Sequence, residues 1–96
     1  MDVAAFRASL ADAAPPAGLA PPLAALWWDA RGDWARAHTI VMGAEGAEAA
    51  WVHAYLHRKE GDRANAGYWY RRAGRTMPEG PLDAEWEAIA TALLAR

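Results

Sequence analysis

The chain has 96 residues, a formal net charge of −2 at pH 7 and no cysteine. A chain this short buries one core, which excludes a second domain, and the absence of thiols excludes a disulfide scaffold, a thiolate zinc site and a cysteine nucleophile. Alanine makes up half of the 54% hydrophobic content, so the six tryptophans must fill the core that the few branched aliphatics cannot.

Met1 to Ala14 carries Asp2, Arg7 and Asp12 among apolar residues, unlike the uncharged core of a secretory signal. Val3, Phe6, Leu10 and Ala13 recur at helical spacing and predict a first helix over 1–14, ended by Pro15. Residues 15–22 read as a stiff Pro-rich linker in which Gly18 permits a bend. The charge-free run from Ala13 to Trp28 is broken by Pro15, Pro16, Pro21 and Pro22, so it is not a membrane-spanning helix.

Residues 23–43 predict a helical hairpin. Leu23, Leu26, Trp27 and Ala30 share one side of its first helix, Gly32 supplies a positive φ, and Asp33 caps a second helix carrying Trp34, Ala37, His38 and Val41. From Ala47 to Glu60 the apolar residues Trp51, Val52, Ala54, Tyr55 and Leu56 occupy most of the circumference, which predicts a helix packed on all sides. Gly61 and Asp62 repeat the stop-and-cap chemistry before a fifth helix from Arg63 to Arg75. Pro78, Gly80 and Pro81 end this part. A closing helix over 83–95 follows, with Trp86, Ile89, Ala90 and Leu93 on one face and Asp83 as its N-cap. Six helices and no period-two segment give an all-α fold in a single domain.

Superposing Gly32 on Gly61 sets Ala37 over Ala66, where two antiparallel helices approach closely. In the span 47–78, Ala54, Gly61, Ala66, Tyr70, Ala73 and Pro78 take the small, turn, aromatic and helix-ending positions of a tetratricopeptide (TPR) repeat, which this segment resembles. The run from Asn65 to Ala73 is also similar to the second helix of Sel1-type repeats. The first unit resembles a degenerate copy: its glycine lies 29 residues before Gly61, against a regular period of roughly 34, and Val41 stands at the aromatic position. The stretches from Leu26 to Trp34 and from Trp51 to Asp62 are similar to segments of short bacterial proteins. That resemblance implies a small helical protein standing alone and brings no catalytic residue with it.

His53 and His57 lie four apart on one predicted helix and project from the same face, an arrangement able to share a metal ion if His38, Glu60 or Asp62 supplies a third ligand. The competing expectation is a histidine packed at a helix interface with one hydrogen bond to a carbonyl or carboxylate. Ser9, Thr39, Thr76 and Thr91 sit in no recognisable nucleophile setting, and P-loop and dinucleotide fingerprints are absent.

The segment from His53 to Arg75 is net +4 within an otherwise acidic chain. Arg71, Arg72 and Arg75 beside Tyr68 and Trp69 suit carboxylate or acidic-peptide recognition, and the overall acidity argues against nucleic acid. The alternative is pairing of these arginines with Glu79, Asp83, Glu85 and Glu87 of the closing segment. Trp27 and Trp28 point about 100° apart on a helix, so one is left for an interface, and a homodimer is expected to cover it.

These residues give an expected cytoplasmic protein-interaction module that presents Trp28, Tyr55 and His53 in a groove, with Arg71, Arg72 and Arg75 selecting an acidic protein or peptide. No cofactor is implied. The alternative is a small metal-binding protein or enzyme using His38, His53 and His57.

Overall fold

Capping chemistry sets half of the helix starts. Asp2, Asp33 and Asp62 each accept a hydrogen bond from the amide three residues on, at 2.8, 3.1 and 3.1 Å. Such a bond satisfies one of the amides that a helix start leaves free and is worth about 1 kcal/mol. The computed structural model describes residues 1–96. Its helices are α1 (Val3–Ala8), α2 (Pro21–Ala30), α3 (Trp34–Met42), α4 (Ala47–Glu60), α5 (Arg63–Ala73) and α6 (Leu82–Leu94), with no strand. Gly32 and Gly61 take φ of +87° and +91° at the ends of α2 and α4. That left-handed turn lets an aspartate cap restart the chain at once and fold α3 back on α2 and α5 back on α4.

Several boundaries differ from the sequence reading. The fifth helix ends at Ala73 rather than Arg75, because Gly74 turns left-handed at φ +73°. The first helix stops at Ala8 and continues only as a 3₁₀ turn, Ser9–Ala11. The Ser9 hydroxyl donates to the Phe6 carbonyl at 2.6 Å and accepts from Trp27 Nε1 at 3.0 Å, tying the turn to α2. The second helix begins at Pro21, inside the expected linker, because a proline fits the first helical position, where no amide donor is needed. Asp83 does not cap α6. Pro81 holds the extended N-cap position, and Asp83 falls in the first turn, where its charge still favours the helix dipole.

α4 lies at the centre. Ala49 to His57 are all buried, with α2, α3, α5 and α6 packed around them. The core joins 18 buried residues, among them Phe6, Leu26, Trp27, Val52, Leu56 and Ile89. Ala37 and Ala66 are fully buried at equivalent places in the two hairpins, where a larger side chain would push the helices apart. Trp27, Trp51 and Trp86 are buried and Trp34 is half-buried, and all four place the indole N–H. Trp27 donates to Ser9, Trp34 to the Leu56 carbonyl at 2.8 Å, Trp51 to Glu85, and Trp86 to the Leu26 carbonyl at 3.0 Å. No helix is long and apolar enough to cross a membrane.

The side of α4 facing α6 holds a polar network. Glu85 is 7% exposed and accepts from the Tyr70 hydroxyl at 2.6 Å, from Arg58 at 2.8 Å and from Trp51 Nε1 at 3.4 Å. Arg58 also donates to the Gly80 carbonyl, fastening the Pro-rich segment before α6. Burial and the adjacent Glu85 raise the Tyr70 phenol above its usual pKa, so it remains a donor. Removing the carboxylate leaves a largely buried guanidinium without its counter-charge, held only by the Gly80 carbonyl. Glu85→Ala is expected to lower unfolding stability by about 3 kcal/mol, and Tyr70→Phe by about 1.5 kcal/mol, in urea denaturation with an unchanged m-value.

Candidate metal centre

The face of α4 opposite Trp51 carries His53 and His57, one turn apart and pointing the same way. α3 brings His38 against them. The three rings form a compact cluster with centroids 4.9 to 5.0 Å apart, and one ligand nitrogen from each lies within 4.8 Å of the others. His53 and His57 are 4% and 5% exposed, whereas His38 is partly open.

Each ring is held by its neighbours. Trp34 stacks on His38 at 4.8 Å with an interplanar angle of 11°, and Trp34 is itself anchored by its bond to the Leu56 carbonyl. Trp69, from α5, stacks on His53 at 3.9 Å and 16°. His57 Nδ1 lies 2.6 Å from Glu60 Oε2. A carboxylate only accepts, so Nδ1 carries the proton and Nε2 keeps its lone pair. That Nε2 is 3.4 Å from Asn65 Nδ2. A carboxylate bound to the far nitrogen of a histidine is the outer partner that fixes tautomer and ring direction in metal sites.

The electrostatics favour the neutral form of His53 and His38. Burial and the neighbouring His57 and His38 push the His53 pKa down to about 4. Burial and His57 also lower that of His38, with Glu60 opposing. Three imidazoles this close cannot all be protonated, and neutral imidazole is the form that binds a metal. Zn–N bonds of about 2.0–2.1 Å at tetrahedral angles place nitrogens roughly 3.3 Å apart, so the rings would draw together by up to about 1.5 Å around an ion. The set His57, Glu60 and Asp62 also converges within 4.8 Å. It is less suited to an ion, because Glu60 and Asp62 are exposed, Glu60 is engaged by His57, and Asp62 caps α5.

The residues expected to bind a partner are dispersed. Tyr55 is 2% exposed and belongs to the core, and only its edge reaches a pocket of about 260 Å³ beside Asp29, Lys59 and Asp83, which none of Trp28, Arg71, Arg72 and Arg75 lines; burial and nearby Asp29 raise its phenol pKa. Trp28 is half-buried, with the Arg36 guanidinium 4.0 Å over its ring. Arg75 folds 3.3 Å over Trp51, Arg72 lies over Tyr68 and Trp69, and Arg71 stands exposed near Gly67. These three do not take the carboxylates of the closing segment. Glu85 pairs with Arg58, Asp83 and Glu87 with Arg7, and Glu79 with Arg63. The reason is geometric: Arg75 follows the left-handed Gly74, which turns it away from the line of Arg71 and Arg72.

Sequence reasoning did not single out Trp34, Trp69 or Asn65 at this site. Trp34 was legible as the i−4 neighbour of His38, but Trp69 and Asn65 reach it only through the packing of α5. No protein-family model, curated protein or solved structure matches the chain.

The histidine cluster makes the folded state sensitive to acid. A depressed folded pKa means that the unfolded chain takes up the proton first as pH falls. The contribution of His53 is therefore complete above about pH 6.5 and is lost as pH drops toward about 4. Urea-unfolding stability of metal-free protein is expected to decline across that window. The His53→Gln variant, which has nothing to titrate there, is expected to show a shallower decline.

Proposed function

We propose that this protein binds a zinc ion through His38, His53 and His57. The observation that supports this reading is the convergence of three ring nitrogens within 4.8 Å, with Glu60 fixing the tautomer of His57. A cluster that loses stability when protonated gains it back from a cation that all three can ligate. The set is all nitrogen, which suits zinc and, in the cytoplasmic setting we propose, is indifferent to thiol redox chemistry. On this reading the tetratricopeptide-like hairpin of α4 and α5 supports metal ligands rather than a peptide groove. Recognition of an acidic partner would need Arg71, Arg72 and Arg75 to act together, and their divergent positions weigh against it.

Calorimetric titration of chelator-treated protein is expected to show one zinc per chain. Free zinc at 100 times Kd stabilises the fold by about 2.7 kcal/mol, read as a rise in melting temperature. His38→Gln and His53→Gln should each weaken uptake while retaining the helical circular dichroism signal. No uptake by the wild type, or unchanged uptake by both variants, overturns the assignment.

A further inference from the structure

The histidine set ends at three nitrogens. Zinc is four-coordinate in most protein sites, and where the protein supplies three ligands the fourth position takes water or substrate. The two carboxylates nearest the cluster have other work: Glu60 holds His57 Nδ1, and Asp62 caps α5. Above the histidines lies an open cavity of about 400 Å³, lined by His38, Met42, His53, His57, Asn65 and Trp69. Asn65 Nδ2 donates to His57 Nε2 at 3.4 Å, so an ion bound at that nitrogen would displace this amide, which borders the open side of the cluster.

From this geometry, and resting on the zinc reading above, we propose that the cavity is a hydrolytic site for small uncharged carboxylic esters. The nucleophile is water at the fourth coordination position, hydrogen-bonded by Asn65. Three features select the substrate class. No Lys, Arg, Asp or Glu lines the cavity, so no side chain there pairs with a charged group of a substrate. Phosphoryl transfer normally relies on cationic clamps or a second metal ion, and this cluster offers neither. Met42, 64% exposed, and the Trp69 ring give an apolar group of the substrate a surface to lie on.

The chemistry balances without a further reactant. Coordinated water, its pKa lowered to about 7, releases a proton to solvent. The resulting hydroxide oxygen forms a bond to the ester carbonyl carbon. The C–O bond to the leaving alcohol then breaks, the alkoxide takes a proton from solvent, the carboxylic acid formed releases the proton that the hydroxide carried, and the products are a carboxylate, an alcohol and one net proton. On this proposal the Asn65 amide, displaced from His57 Nε2 by the ion, would hydrogen-bond the attacking water.

The test uses the full chain loaded with cobalt(II) or zinc. Azide added to the cobalt protein is expected to shift its visible absorption saturably, as at a site with an exchangeable ligand. Zinc-loaded protein should hydrolyse p-nitrophenyl acetate at least about tenfold faster than zinc-free protein and leave p-nitrophenyl phosphate intact. Asn65→Ala should lower kcat about tenfold or more with zinc affinity and helicity unchanged. Cobalt uptake with a spectrum indifferent to azide, or ester hydrolysis no faster with zinc than without, overturns this inference and leaves the metal site standing. Failure to take up either ion overturns both.

Discussion

Nine consecutive residues of α4, Ala49 to His57, are buried, none more than 6% exposed, and the rest of the fold follows from that constraint. A helix buried around its whole circumference must be enclosed, and in 96 residues the enclosing parts are α2, α3, α5 and α6. Each polar group on such a helix needs a partner from a neighbour, because an unpaired one would cost more than the burial around it returns. The partners are therefore what give this protein its chemical character.

Two faces of α4 solve that problem differently. Toward α6, Trp51 and Arg58 meet Glu85, and with Tyr70 they form a closed network in which every donor has an acceptor. On the opposite face His53 and His57 meet His38 from α3, so acceptor nitrogens gather with few donors among them. Tryptophans flank the cluster from α3 and α5 and hold the rings in place. The first arrangement serves stability. The second gathers lone pairs at the edge of an open cavity, the arrangement expected of a site that receives a cation.

Much of the architecture was legible along the chain. The Gly-Asp pairs at 32–33 and 61–62 mark the turns of both hairpins, because a left-handed glycine followed by a capping carboxylate is a local instruction. The apolar residues around α4 predicted its enclosure. The first helix was read too long, since Leu10 and Ala13 continue the periodicity while Ser9 is drawn into a tertiary contact with Trp27 that tightens the chain to a 3₁₀ turn. The arginines beside the aromatics were read as one surface, but sequence proximity gives no direction to Arg75 once Gly74 reverses the backbone.

The sequence by itself determined the helical class, the turn positions and the shared face of His53 and His57, because each depends on contacts within a few residues. Only the tertiary structure decided that His38 completes the cluster, that Trp69 and Asn65 reach it from α5, and that Tyr55 belongs to the core. Those outcomes depend on how helices rotate about their axes when packed against α4. That rotation is set by the summed fit of many side chains distant in sequence, which no local pattern encodes.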